Sequence, residues 1–326
     1  MKNVAAAMIL ICAGLALTAF GWEDKKLIKW GWDTPNTAYL KEHIDDFQAF
    51  AFDGIVITLI HDVRKPNRID PRLDDCELHG EVFSNKVITL DDLSFVIEDL
   101  ESLDWGRYTD NFLNIGISYG RVDFFEDWNV INAKAEMIGA LCEQGGLKGI
   151  VFDTEMYSNT DIWSYSARPL ADKKTFAEYA SRARLRGRQF MEALCSRKAD
   201  MVVLLMFGHS KLYEDTMLPG ATVREHGYGL MPAFLDGMLE GATPEATIID
   251  GYEQSYIFKD PRAFYEGYRN VHRARDISSV PLEYGAHMRV GFGIWYDAGS
   301  PQIGWPNRDD FRKNKHTPRE LSQSFV

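Results

Sequence analysis

Lys148-Gly-Ile-Val-Phe-Asp-Thr-Glu-Met156 is the stretch of sequence that decides the fold. Its apolar run, Ile150 to Phe152, has the length of a buried strand, and two carboxylates follow at positions i and i+2. Side chains alternate between the two faces of a strand, so Asp153 and Glu155 share a face with Val151. If this strand belongs to a parallel barrel, both acids open onto the end where such barrels hold their active sites.

The rest of the chain repeats a short apolar run followed by an amphipathic stretch, which favours parallel strands covered by helices. This pattern predicts an α/β fold, a TIM-type (β/α)8 barrel, with residues 22–326 as a single domain. The predicted strands are Leu27–Asp33, Gly54–Ile60, Phe112–Ser118, Gly149–Glu155, Met201–Phe207, Ala246–Asp250 and Arg289–Trp295. The predicted helices are Thr37–Phe50, Asp91–Leu103, Asn129–Glu143, Thr175–Lys198, Leu230–Glu240 and Pro261–Arg275.

Seven predicted strands are one fewer than a closed barrel needs. The chain ends at Val326, shortly after Thr317-Pro-Arg-Glu320, which is typical of a helix start with a threonine cap and a proline in the first position. We therefore predict that the barrel lacks its last strand because the chain ends early. Two alternatives are an open barrel and a short additional strand at Val82–Val87, within the long loop 61–90.

Residues 1–21 are predicted to be a secretory signal peptide. Lys2 precedes an apolar run from Val4 to Ala19, and the small-x-small cleavage site Ala19-Phe-Gly21 follows. No later stretch is long and apolar enough to span a bilayer. The mature protein is therefore expected to be secreted or periplasmic, with no membrane partner after cleavage.

The composition argues against several classes of partner and cofactor. The formal net charge is −12, and such an acidic surface repels nucleic acid and other polyanions. Cys76, Cys142 and Cys195 allow at most one disulfide and lack the Cys-x-x-Cys spacing of a structural zinc site. His-Glu-x-x-His and a phosphate-binding glycine loop are absent from the sequence. No metal and no cofactor are expected.

Acidic residues recur where the predicted strands end, and all would line one mouth if the barrel is right. Paired carboxylates at such a mouth suit the proton transfers of glycoside hydrolysis. The structural alternative for any one acid is a helix cap, and for Asp153 and Glu155 it is a cap plus a salt bridge, for example to Arg121 or Lys148. The acids are Asp33, Asp62, Asp153, Glu155, Asp250, Glu253 and Asp297.

The chain resembles uncharacterised secreted bacterial barrels related to glycoside hydrolases over most of its mature length. The resemblance is carried by Trp30-Gly-Trp-Asp-Thr-Pro35, Phe52-Asp-Gly-Ile-Val-Ile57, Gly149-Ile-Val-Phe-Asp-Thr-Glu155 and Ile248-Ile-Asp-Gly-Tyr-Glu253. It implies a TIM barrel but no particular activity. A narrower, partial resemblance is to the family 18 chitinases, whose fourth strand ends Asp-x-Glu, as do Asp153 and Glu155 here. The earlier aspartate of that motif is replaced by Val151, so the resemblance does not extend to chitinase activity itself.

The chitinase resemblance implies that Glu155 is the proton donor and that Asp153 is its partner, which orients the acetamido group of the substrate. The residues also support this pairing, because two carboxylates at i and i+2 lie about 7 Å apart at Cβ. Their like charge and partial burial should raise one pKa, as a general acid requires. The alternative is a two-carboxylate mechanism in which Glu155 acts with Glu253 or Asp297 across the mouth.

Substrate contacts are expected from aromatic and polar side chains at the same strand ends. The candidates are Trp32, Asp33, His61, Tyr119, Arg121, Tyr157, His209, Asp250, Trp295 and Asp297, with Trp163 as a further aromatic for stacking. The predicted function is an exported glycoside hydrolase that acts on an oligo- or polysaccharide. The alternative from another class is a non-catalytic carbohydrate-binding barrel or a degraded enzyme.

Overall fold

The seven described strands form one curled sheet in which every neighbouring pair is parallel and the spatial order is the chain order. The structure, a computed structural model, describes residues 25–117, 122–157, 161–218, 220–296 and 314–317. The sheet makes a half-barrel of α/β type. The strands are β1 Ile28–Lys29, β2 Gly54–Thr58, β3 Phe112–Gly116, β4 Gly149–Asp153, β5 Val202–Leu205, β6 Thr247–Asp250 and β7 Met288–Val290.

Helices follow the strands and cover the outer side of the sheet. Local sequence starts several of them: Thr175 and Glu178 form a reciprocal capping box at one helix, and Asp260 caps another before Pro261. The described helices are α1 Thr37–Gln48, α2 Ser94–Glu101, α3 Asn129–Gln144, α4 Phe176–Cys195, α5 His209–Thr216, α6 Met231–Gly241, α7 Pro261–Arg273 and α8 Pro281–His287. In the described ranges, none of them is long and apolar enough to cross a membrane.

Alternation along the strands separates two apolar layers, one on each face of the sheet. On the inner, concave face Val56, Phe112 and Val151 form a small buried cluster. On the outer face the neighbouring residues, such as Phe152, join the large core beneath the helices, where its ring stacks on Phe83 at 5.6 Å between centroids. Asp153, two positions beyond Val151, therefore faces inward, and its neighbours in sequence face the helices.

All seven predicted strands are present. Six of them end earlier than predicted, whereas β6 ends at Asp250 as predicted and begins one residue later than predicted, at Thr247. Beyond the paired residues the chain turns away, because only paired backbone groups are held in the ladder. The Val82–Val87 strand does not form, since residues 81–83 turn and bury Val82 and Phe83 in the outer core. Helices α5 and α8 were not predicted; each is short, and α5 is polar on much of its surface.

The three described cysteines are buried free thiols, so the disulfide that the sequence allowed is not formed among them. Cys142 lies on α3 and Cys195 on α4, as the helical patterns predicted. Several predicted segments lie outside the described residues: the signal peptide, any strand after β7 and most of the helix predicted to start at Thr317.

Candidate active site

Asp153 is the last residue of β4 and points to the inner face, two residues beyond Val151. Its side chain is only 6% exposed, and its Oδ1 accepts a hydrogen bond from the Glu155 backbone N–H at 3.0 Å. Between them Thr154 points outward, where its Oγ1 exchanges two 2.9 Å hydrogen bonds with the Phe207 backbone at the end of β5. The Asp-Thr-Glu segment is thus held in place by the next strand, with its two acids on the inner side.

Glu253 comes to the mouth from β6, by a different route. Tyr252 adopts a left-handed backbone conformation with φ 43°, which is uncommon for a residue other than glycine. The short 3₁₀ helix Glu253–Ile257 begins directly after it. The Glu253 carboxylate is largely buried, with Oε2 unpartnered, and its other contact is a hydrogen bond with the Tyr256 hydroxyl.

The carboxylates from β4 and β6 perturb one another. Burial raises the pKa of Asp153 to about 7, against the opposing hydrogen bond from the Glu155 backbone, and the charge of Glu155 raises it further. Burial raises the pKa of Glu253 to about 8, and the charge of Glu155 is the next largest cause. Asp153 and Glu253 therefore hold their protons up to near-neutral pH, and the charge of Glu155 contributes to both shifts. Such mutually perturbed carboxyl groups are the pattern of an acid–base site.

Three tyrosine hydroxyls surround these carboxylates. Tyr157 hydrogen-bonds to the β4 acids, and Tyr256 to Glu253. The Tyr228 hydroxyl accepts a hydrogen bond from the Met156 N–H at 3.1 Å, and burial raises the pKa of Tyr228 to about 12. Sequence reasoning found Tyr157 but missed the other two. Tyr256 follows Glu253 at helical spacing and could have been found, whereas Tyr228 lies in a loop without a local signal.

An aromatic row extends from the carboxylates across the rim. Tyr256 meets Trp295 edge to face, with ring centroids 5.7 Å apart, and Trp295 lies 6.4 Å from Trp32. The Trp32 ring is 48% exposed, and the Lys65 ammonium sits over it at 5.8 Å. The structure therefore brings together two tryptophans predicted from opposite ends of the chain, beside the Glu253 carboxylate.

Asp250 and His209 do not join this cluster, contrary to the expectation that all strand-end residues line one mouth. Asp250 pairs in register with Leu205, an outer-face residue, and accepts hydrogen bonds from the Ser210 and Tyr252 backbone N–H groups at 3.1 and 3.2 Å. His209 is fully buried, with Nε2 2.9 Å from Asp236. Both side chains organise the start of α5, on the helix side of the sheet.

The remaining candidates are distributed around the mouth or outside it. His61 accepts at Nδ1 from the Asp70 N–H at 2.9 Å and shapes the loop that follows β2. Asp33 pairs with the Lys29 ammonium at 2.9 Å and keeps 40% of its side chain exposed. Trp163 is fully buried and donates its indole N–H to the Thr154 carbonyl, so it packs beneath the site and has no exposed face for stacking. Tyr119, Arg121 and Asp297 lie outside the described residues.

His79 is a residue of the site that sequence reasoning missed. It lies in the loop after β2, where its backbone carbonyl accepts from the Gly116 N–H at 2.8 Å. Burial, together with the charge of Arg68, lowers the pKa of its ring to about 4. No periodic pattern marks this loop, so nothing in the sequence indicated that His79 would reach the inner face.

Within the described ranges, no group of three or more His, Cys, Asp or Glu side chains is arranged to hold a metal ion. No protein-family model matches the chain, and comparison with curated proteins finds no match.

Proposed function

We propose that the protein is an exported TIM-barrel glycoside hydrolase that cleaves an oligo- or polysaccharide by carboxylate acid–base catalysis. The observation that carries the proposal is the coupling of Asp153, Glu155 and Glu253 at the carboxyl ends of β4 and β6. A general acid works best with a pKa near the working pH, and glycoside hydrolysis pairs such an acid with a charged carboxylate.

The perturbed pKa values assign the roles differently from the sequence. Glu253, with a pKa of about 8, is the proton donor to the leaving oxygen. Glu155, whose charge raises that pKa, is the carboxylate that acts as nucleophile or activates water. Asp153, buried below Glu155 and bonded to its backbone, positions that carboxylate. The sequence-based hypothesis instead gave proton donation to Glu155.

The aromatic row supports a saccharide as substrate. Flat aromatic faces such as the exposed side of Trp32 offer apolar surface to the C–H face of a sugar ring, while the tyrosine hydroxyls offer hydrogen bonds. Pockets of this kind combine apolar walls with a few polar groups that fix orientation.

The test begins with the signal-free protein and a broad glycan panel, with released sugars identified by mass. Glu253→Gln and Glu155→Gln should each lower turnover by about 10²–10⁴-fold, because each removes a group that moves a proton or charge in the transition state. Glu245→Gln, at an exposed position away from the mouth, is the matched control and should keep wild-type turnover. Binding without products from a folded chain would instead support the carbohydrate-binding alternative.

A second experiment separates the two roles. A nitrophenyl glycoside has a leaving group that needs no proton, so Glu253→Gln should recover most of its rate on that substrate but not on an oligosaccharide. Glu155→Ala should stay slow on both and be accelerated by azide, which can replace a missing carboxylate nucleophile. The reverse pattern would return proton donation to Glu155.

A further inference from the structure

Three polar side chains on the inner face carry atoms without partners. Thr58 at the end of β2 is fully buried, and its Oγ1 accepts and donates no hydrogen bond. Asn114 on β3 is 7% exposed, pairs in register with Thr58, and leaves Oδ1 unpartnered. His79 leaves its Nδ1 buried and unpartnered. These three residues, which we call the polar layer, follow Val56 and Phe112 toward the carboxyl ends of the strands, and Asn114 pairs in register with Val151.

Gly116 connects the polar layer to the catalytic carboxylates. It pairs in register with Asp153, and a Cβ at this position would lie 3.1 Å from His79 Cε1 and 3.6 Å from Asp153 Cβ. The imidazole and the Asp153 side chain therefore flank the same bare stretch of strand. Any larger side chain at residue 116 would displace the His79 ring.

Buried polar atoms without partners are costly, and in native proteins such atoms commonly have a function. A ligand that supplies the missing hydrogen bonds recovers that free energy when it binds. We propose that the polar layer is a sugar-binding subsite that holds one uncharged, hydroxyl-bearing sugar unit beneath Asp153. The inference rests on the proposed glycosidase function for the identity of the ligand.

The charges around the polar layer select against an anionic sugar. Arg68, whose charge acts on the His79 ring, uses its guanidinium on the carbonyls of Thr34 and Trp32, at 3.1 and 3.5 Å. Glu155 adds negative charge to the neighbouring cluster, where it raises the pKa of both Asp153 and Glu253. A hydroxyl, an amide and a neutral imidazole can each donate and accept, which matches sugar hydroxyls in either orientation.

The test compares two identical substitutions of buried threonines. Thr58→Val removes a hydroxyl without a partner, so the midpoint of urea unfolding should stay the same or rise, while affinity for a neutral sugar falls about 3- to 10-fold. Thr37→Val removes a buried hydroxyl that donates to Asp99 Oδ2 at 3.1 Å, so the midpoint should fall and sugar affinity should not change. Opposite effects on stability and binding would not arise from a structural role alone.

Affinity is measured by titration calorimetry of the signal-free protein with glucose, galactose, mannose, N-acetylglucosamine and glucuronate. At least one neutral sugar should bind more tightly than glucuronate, and Asn114→Leu should weaken it as Thr58→Val does. Tighter binding of glucuronate, or unchanged affinity in both variants, would overturn the inference, as would binding of none of these sugars.

Because this readout needs no turnover, the two proposals can fail separately. Hydrolysis that is insensitive to Thr58→Val would contradict the sugar subsite and still support the glycosidase. Sugar binding that is weakened by Thr58→Val, without any hydrolysis, would contradict the glycosidase and still support the sugar subsite.

Discussion

The ends of β4 and β6 are alike in sequence, but their aspartates face opposite sides of the sheet. Asp153-Thr-Glu155 and Asp250-Gly-Tyr-Glu253 each place an aspartate at the last paired residue of a strand and a glutamate soon after. On β4 the aspartate faces inward and lies among the carboxylates. On β6 it faces outward and holds two backbone N–H groups. The face of the sheet on which the aspartate lies therefore decides its role. Asp153 joins the carboxylate cluster, whereas Asp250 holds the backbone.

The glutamates converge even though the aspartates do not. On β4 the spacing of two keeps Glu155 on the side of Asp153, as simple alternation requires. On β6 the spacing is three, so alternation puts Glu253 on the face opposite Asp250, and the 3₁₀ helix that begins after the left-handed Tyr252 starts with this residue. Backbone strain in such a turn is sustained only where surrounding contacts hold it. Here the strained residue stands immediately before an acid of the carboxylate cluster.

The largest expected effect is on turnover, and it should distinguish the two aspartates. Asp153→Asn should lower kcat by about 10²-fold on a substrate found with the glycan panel, because it removes a carboxylate beside Glu155 while keeping the hydrogen bond to its backbone. Asp250→Asn should leave kcat of the folded enzyme within a few-fold. Equal losses in steady-state kinetics of the two variants, with circular dichroism showing both folded, would remove the distinction.

The next effect is on stability, and it should run the other way. Asp250→Ala leaves the Ser210 and Tyr252 N–H groups buried without an acceptor, so the free energy of unfolding should fall by about 1–3 kcal/mol. Urea denaturation followed by tryptophan fluorescence measures it, with Asp53→Ala on an exposed hydrogen bond as the control. An unchanged midpoint for Asp250→Ala would show that the N–H groups find other partners.

The sequence predicts the strands of this molecule better than it predicts which residues reach the carboxylate cluster. Alternation and apolar runs predicted all seven strands and put Asp153 and Glu155 on the inner face, because a strand buried on both sides leaves a strong local signal. The same reasoning placed Asp250 in the mouth although it ended the strand at the right residue, because an apolar run buried on both sides does not show which residues face inward. His79 and Tyr228 reach the site from irregular loops, whose course depends on packing between segments far apart in sequence.

A smaller effect concerns pH and the cost of keeping Asp153 buried. Its pKa is about 7 in the folded protein against an ordinary value of 3.8, so the folded state holds the extra proton between these values. The stability contributed by this group is complete below about pH 3.8 and is lost as the pH rises through about 7. Asp153→Asn cannot lose a proton, so it should gain stability relative to wild type as the pH rises from 4 to 8, with little difference at pH 4.

The difference between the two unfolding curves, measured in urea from pH 4 to 8, isolates this carboxyl group. His79, with its lowered pKa of about 4, titrates in the opposite sense between that value and 6.5, but it is present in both proteins and cancels. A difference that does not change with pH would mean that Asp153 is charged throughout.

The smallest effect tests what holds the left-handed turn of β6. The Tyr252 hydroxyl donates to Glu214, which also accepts from Asn270 Nδ2 at 2.7 Å, and the ring packs on Phe292 at 5.9 Å between centroids. Tyr252→Phe keeps the ring and should cost about 1 kcal/mol of unfolding free energy, with kcat changed by less than about three-fold. Tyr284→Phe, which removes a buried hydroxyl that donates to the Val271 carbonyl, is the matched control. A loss of turnover as large as that of Asp153→Asn would show that the hydroxyl anchor, and not the packed ring, keeps Glu253 at the mouth.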